Sequence, residues 1–377
     1  MRTRPVRFVV IATLVLCCTR IFAQSPEPAQ FRLAGTHSFE VKDATSWTVD
    51  REEIDEKSGK SNVVKNVAFA SGEKSEFQLT KSKNKTTIYR LVARGKSFSR
   101  TFRVTVLEAD RVSTFFYQSE GNPAVRTYIL VPASLHRDSR ILFVMHGLGR
   151  NADEYIASWE KWGRENQHVI VCPEFDNENW KGSGSYNLGN VFAGNSGWKK
   201  VNARSKWSYQ IVEDIYMTVK NELDLRGDDF DIFGHSAGAQ FVHRFAIFMP
   251  NSKFRIAIAA NAGWYTLPDL NAEFPYGFKH PKLAFTQNDL IAWSRRNVLL
   301  LRGTEDTERT PNLRQTPEAD VQGKTRYERA GFMIERMRSI NPDTNWRMID
   351  VPGVGHEQEL MAIAAQNALD LINSDRN

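Results

Sequence analysis

Two textures of apolar and polar positions divide the chain. Between Phe31 and Asp110 the apolar residues fall in short alternating runs, at Ser38 to Val41, Ser46 to Val49, Asn66 to Ala70, Glu76 to Leu79, Thr86 to Ala93 and Ser97 to Val106. In the last run Phe98, Phe102, Val104 and Val106 share one face, while Ser97, Ser99, Thr101, Arg103 and Thr105 share the other. That two-residue period is the mark of a half-buried strand. Short strands divided by Lys, Ser, Gly and Asn turns predict a small all-β sandwich of immunoglobulin-like type over residues 31–110.

From about Val112 onward, unbroken apolar runs alternate with segments of helical period. Arg140 to Met145, Val169 to Val171, Asp231 to Phe233, Arg255 to Ala260 and Asn297 to Leu301 read as apolar strands, and Trp346 to Val351 reads as the last strand. Ser208 to Leu223, Ala237 to Phe248 and the stretch through Leu360, Ile363, Ala364 and Leu371 read as helices. Strands spaced by helices in this way fit one large α/β domain over residues 111–377.

The amino terminus carries Arg2, Arg4 and Arg7, then an apolar run from Phe8 to Cys18 that is too short to span a bilayer, then Ile21-Phe22-Ala23 before Gln24. This is the pattern of a secretory signal peptide over residues 1–23, followed by a linker over 24–30. Its removal takes away four arginines and lowers the net charge from +6 to +2. A balance so close to neutral lacks the concentrated basic stripe that nucleic-acid binding needs. Removal also takes Cys17 and Cys18, leaving Cys172 on a buried strand with no partner for an internal disulfide. The expected location is outside the cytoplasm, extracellular or periplasmic, with no stable membrane span after cleavage.

The chemistry centres on Asp231-Ile232-Phe233-Gly234-His235-Ser236-Ala237-Gly238, where an apolar strand enters Gly-x-Ser-x-Gly and leaves as a helix. A serine on such a turn projects its oxygen clear of the sheet, so Ser236 is the candidate nucleophile. Serine is weak at neutral pH and requires a base, an acid to orient that base, and donors for the developing oxyanion. Asp306, in Gly303-Thr304-Glu305-Asp306 after the Asn297 strand, is the candidate acid, with Glu305 and Glu308 as rivals in the same turn. His356, in the loop after the last strand, is the candidate base. The Arg140 strand breaks into His146-Gly147-Leu148-Gly149, whose glycines free the backbone to turn its amides toward a carbonyl. The amides of Leu148 and Ala237 are the candidate oxyanion donors, with His146 orienting that loop.

Met145-His146-Gly147, Gly234-His235-Ser236-Ala237-Gly238, Gly303-x-x-Asp306 and Gly355-His356 together resemble the four signature sites of α/β-hydrolase serine esterases, in the manner of secreted polyhydroxybutyrate depolymerases and feruloyl esterases. The resemblance spans about Val112 to Ile372. It implies the α/β-hydrolase fold with a mostly parallel central sheet flanked by helices, cleavage of carboxylic esters through an acyl-enzyme, and neither metal nor cofactor.

Two further segments are expected to shape the pocket. The connection from Glu174 to Trp207 is long and rich in Gly, Asn, Ser and Trp, as functional loops are. Trp264 and Tyr265 follow the Arg255 strand, beyond the carboxyl edge where ligands bind in such sheets. They are candidate substrate contacts, as is His235 beside the nucleophile. Phe274, Tyr276, Phe278, Phe285 and Trp293 are expected to pack this insertion onto the core. Lysines and arginines recurring from Lys74 to Arg103 offer the amino-terminal region either a solvated face or weak contact with an acidic surface or polymer. No phosphate-binding glycine loop and no His or Cys spacing for a metal occurs. The substrate is thus expected to be a small-molecule or polymeric ester. A peptidase or acyltransferase on the same scaffold, or a surface-binding protein without turnover, stand as alternatives.

Overall fold

The computed structural model describes residues 30–374 except 56–57, 59 and 195–196. The expected signal peptide therefore lies outside the described residues. The amino-terminal region is β-rich, with β1 (Gln30–Leu33), β2 (Gly35–Glu40), β3 (Ser46–Asp55), β4 (Ser61–Ser71), β5 (Lys74–Leu79), β6 (Lys85–Arg94) and β7 (Ser99–Leu107). These form a five-stranded sheet in the order β1-β7-β6-β3-β4 and a two-stranded sheet, β2-β5. A shared core of Phe39, Trp47, Phe77, Leu91, Phe102 and Val104 joins the two sheets. Strands β3 and β4 run longer than alternation suggests, because β4 is exposed along most of its length and buries no periodic face. Phe98 does not share the buried face of Phe102, Val104 and Val106. It precedes β7, where the Gly95 amide donates to its carbonyl at 3.1 Å and closes the turn.

The rest of the chain continues through β8 (Val112–Tyr117), β9 (Val125–Leu130), β10 (Ile141–Met145), α1 (Ala152–Ala157), α2 (Glu160–Glu165) and β11 (Val169–Glu174). Then come α3 (Gly182–Ser185), α4 (Ser208–Glu222), β12 (Phe230–His235), α5 (Ala237–Phe248), β13 (Phe254–Ala260) and α6 (Gln287–Ser294). The chain closes with β14 (Val298–Gly303), α7 (Pro317–Asp320), α8 (Arg326–Ile340), β15 (Trp346–Val351) and α9 (Gln358–Ser374). The eight strands pair in the order β15-β14-β13-β12-β10-β11-β9-β8. Neighbours from β15 through to β11 are parallel, and β9 and β8 add an antiparallel edge. This mixed, mostly parallel sheet is the α/β arrangement expected.

Alternation along the central strands feeds two cores. Ile141, Phe143 and Met145 of β10 point into one, while Leu142 and Val144 point into the other. From β10 the chain passes to β11 on one side and then returns to β12 on the other. The loops leaving β10 and β12 therefore diverge, and a crevice opens at their carboxyl ends. Phe31 of β1 buries itself in the core of the large sheet, its ring 5.0 Å from that of Phe115 on β8. Among the described residues no helix is long and apolar enough to cross a membrane.

Candidate active site

Ser236 sits at the mouth of that crevice between β12 and α5, with φ at +57° and ψ at −112°. A non-glycine residue rarely holds this left-handed backbone, and its neighbours over-determine it. A Cβ at Gly234 would lie 2.3 Å from the Gly238 carbonyl oxygen, and one at Gly238 would lie 2.0 Å from that of Met145. Both positions need glycine for strand β10, strand β12 and helix α5 to meet so closely. The Ser236 amide, turned outward by the same kink, donates to the Ala260 carbonyl at 3.0 Å.

The three groups read from the sequence converge. His356 Nδ1 is 2.7 Å from Asp306 Oδ2, and His356 Nε2 is 3.1 Å from Ser236 Oγ. Nδ1 donates to the carboxylate, which leaves Nε2 with its lone pair toward the serine hydroxyl. Asp306 is buried, whereas Glu305 and Glu308 point into solvent. Its second oxygen accepts from Arg326 Nη1 at 3.3 Å. Arg326 is itself buried and is aimed by its place in the first turn of α8, which a Thr325–Glu328 capping box starts.

A residue the sequence did not single out ties the acid and base loops together. Asn261, buried after β13 with φ at +50°, accepts from the Gly303 amide at 2.9 Å and donates through Nδ2 to the Gly355 carbonyl at 2.7 Å. Gly303 ends the strand before Asp306, and Gly355 directly precedes His356. The only available hint was the residue type, since Asn tolerates this backbone better than most.

The amide of Ala237 is the first of α5 and has no intrahelical acceptor, so it is free to face a ligand. The amide of Leu148 lies in the turn after β10, and Gly147, Leu148, Ser236 and Ala237 all line one cavity. His146 orients this turn as expected. Its Nε2 accepts from the Phe175 amide at 3.1 Å, so Nδ1 carries the proton and donates to the Gly147 carbonyl at 3.0 Å. Burial, with the nearby Arg150 charge adding to it, lowers the His146 pKa to about 3 and keeps the ring neutral. Tyr186 donates to the His146 carbonyl at 2.7 Å, and Arg150 stacks over Tyr186 while donating to the Phe175 carbonyl at 2.8 Å. Both belong to the site's frame, and neither carried a recognisable signal in the sequence.

The cavity has a volume of about 780 Å³. Trp264 and His235 line it, as do Ser183 and Asn187 from the long connection after β11. His235 is nonetheless almost fully buried, with Tyr155 3.0 Å from its Nδ1 and its ring 4.6 Å from that of His356. Burial, followed by the His356 and Arg326 charges, holds it neutral, well below the usual imidazole range. Tyr265 corrects the sequence reading. It does not line the cavity: its backbone is gripped by Gln322 through bonds of 2.8 Å at both amide and carbonyl, and its ring turns inward against His243. Phe274, Phe278 and Trp293 pack into the core as expected. The cavity wall formed by Thr310 to Arg314, and Gln240 one helical turn beyond Ser236, went unread.

Neither a family model nor a curated protein sequence matches the chain. Solved structures do. Poly(aspartic acid) hydrolase-1 from Sphingomonas sp. KT-1 is 32% identical, with a TM-score of 0.65 over 68% of this chain and 97% of its own. LpqC, a poly(3-hydroxybutyrate) depolymerase from Bordetella parapertussis, is 28% identical, with a TM-score of 0.63 over 68% of this chain and 88% of its own.

Proposed function

The chain belongs to the α/β-hydrolase superfamily of carboxylic ester hydrolases, and from that premise we propose that it is a secreted serine esterase working through Ser236, His356 and Asp306. The observation that carries this reading is the unbroken chain from the Asp306 carboxylate through His356 to the Ser236 hydroxyl, at 2.7 and 3.1 Å, opening into a cavity.

His356 Nε2 takes the Ser236 proton as Oγ bonds to the ester carbonyl carbon. The carbonyl oxygen becomes an alkoxide held by the Leu148 and Ala237 amides, each such donor contributing about 3 kcal/mol to the transition state. Asp306 keeps the imidazole in the productive tautomer and stabilises its cation. The protonated His356 then gives its proton to the departing alcohol, leaving an acyl-Ser236 ester. Water, deprotonated by the same imidazole, attacks this ester and regenerates the hydroxyl. Trp264 contacts substrate in this scheme. The substrate is a small or polymeric ester, in keeping with relatives that act on polymers. The leader over residues 1–23 exports the chain. The amino-terminal sheets form an immunoglobulin-like sandwich over 31–110 that offers the substrate weak surface contact.

Ser236→Ala tests this reading. Hydrolysis of a short-chain 4-nitrophenyl ester should fall to background with the circular dichroism spectrum intact, and covalent labelling by a fluorophosphonate should vanish with it. Turnover at the parental rate would reject the assignment. The likeness to a poly(aspartic acid) hydrolase favours amide cleavage as a second reading, and parallel assays on peptide amides separate the two.

A further inference from the structure

The cavity wall is electrically uneven. Its carboxylates, Glu357 and Glu359, follow His356, at the end where the protonated imidazole meets the leaving group. Gln240 of α5, Gly263 and Trp264 of the loop after β13, and Arg314 of the loop after β14 form a different stretch of wall. There Arg314 stacks its guanidinium 4.7 Å from the Trp264 ring centroid and 5.4 Å from that of Tyr276. Among the described residues no carboxylate pairs with it, and its N–H groups have no acceptor. Glu318 feels the Arg314 charge but does not reach ion-pair distance. Stacking on aromatic rings fixes the plane of a guanidinium while leaving its edge donors free, the presentation that suits a carboxylate held by two parallel hydrogen bonds.

A second guanidinium reinforces this field. Arg244 of α5 is fully buried, 4.0 Å from the same Trp264 ring centroid. It donates only to neutral acceptors, Thr266 Oγ1 at 2.7 Å and the carbonyls of Gln240 at 2.9 Å and Asn187 at 3.2 Å. Its Nη2 is buried without a partner. Burial pushes Arg244 down to about 9, and Arg314 adds to the push, so the two cations sense one another. A buried charge without a counter-charge is costly to keep. Arg326, the other guanidinium of the wall, is already paired with Asp306.

Resting on the esterase reading, we infer that this wall selects esters whose acyl part carries a carboxylate, with Arg314 binding that group and Arg244 supplying background field. The acyl assignment follows from the wall's division, since the end that receives the alcohol is lined by carboxylates that repel an anion.

The test compares 4-nitrophenyl hydrogen glutarate with 4-nitrophenyl pentanoate, matched in chain length, and with the butyrate ester of 4-hydroxybenzoate, whose charge leaves with the alcohol. Spontaneous hydrolysis is subtracted from each. The full chain should favour the glutarate over the pentanoate roughly ten- to hundredfold in kcat/KM, the worth of one charge-assisted pair. Arg314→Gln should bring that ratio close to one, and Arg314→Lys, a point charge without the fork, should restore part of it. A parental ratio near one, a preference that survives Arg314→Gln, or a stronger preference for the hydroxybenzoate ester would each overturn the inference while leaving the esterase reading in place. No turnover of any of the three esters would overturn the esterase reading and this inference with it.

Discussion

Replacing Asn261 with glycine separates the hydrogen bonds of this side chain from its backbone. Glycine accepts the +50° φ without strain, so what is lost is the Gly303 N–H bond at 2.9 Å and the Gly355 carbonyl bond at 2.7 Å. The first leaves a buried amide and the second a half-buried carbonyl unsatisfied, at about 1 to 3 kcal/mol apiece, and water entering the vacated space offsets part of this. A net destabilisation of about 2 to 4 kcal/mol is expected by urea unfolding. The larger consequence is geometric. With the link gone, the loops carrying Asp306 and His356 are no longer fixed to one another, and a displacement near 1 Å at reacting groups costs on the order of a hundredfold in rate. Ester hydrolysis measured well below the unfolding transition should therefore show kcat reduced roughly ten- to hundredfold. KM should change little, since Asn261 does not line the cavity. A variant destabilised as expected but with kcat within about twofold of the parent would refute the claim that this side chain sets catalytic geometry.

Acid should weaken the fold through its buried imidazoles. His146, His235 and His243 are all held below the ordinary range, chiefly by burial. Each unfolded histidine binds a proton near pH 6.5 that its folded counterpart refuses, so their contribution is complete above that pH and is lost as pH falls. For His146, with a folded value of about 3, the loss by pH 5 is about 2 kcal/mol, and urea midpoints measured at pH 7 and pH 5 should reveal it together with the other two. Constant stability across that interval would contradict the neutral, buried assignment. Gly238→Ala places a methyl 2.0 Å from the Met145 carbonyl oxygen. The backbone of the elbow must shift, so activity should drop steeply and stability by roughly 2 kcal/mol, both read from purified protein, whereas an alanine variant of parental activity would show the approach to be looser.

Where local pattern and tertiary role coincide, the fold was legible. Helix α5 has the limits that its periodicity implies, because it is buried in the core along its whole length, and strand β15 keeps its expected limits although only Trp346 of it is fully buried. Ser236, Asp306 and His356 were legible because each follows a strand at a glycine-marked turn. What escaped was polar and long-range. Asn261, Arg314, Arg326 and Tyr155 act across the fold on partners that local sequence does not encode. Tyr265 was misassigned for a related reason: adjacency to Trp264 suggested a shared direction, but consecutive side chains diverge, and Gln322 fixes which of the two faces inward.

Phe31 has a bearing on how the chain is made. The strand that carries it pairs with β7, yet its ring is covered by Phe115, which leaves the ribosome later. The amino-terminal sheet is consequently synthesised with Phe31 and Leu107, both members of the larger core, still exposed, and they stay so until strands of the larger sheet emerge. Starting translation at Val112 would reverse the problem, because Phe115 would then face water for want of its cover. The sheet that holds β1 and β7 is therefore fastened into the hydrolase as a structural member and is no detachable handle.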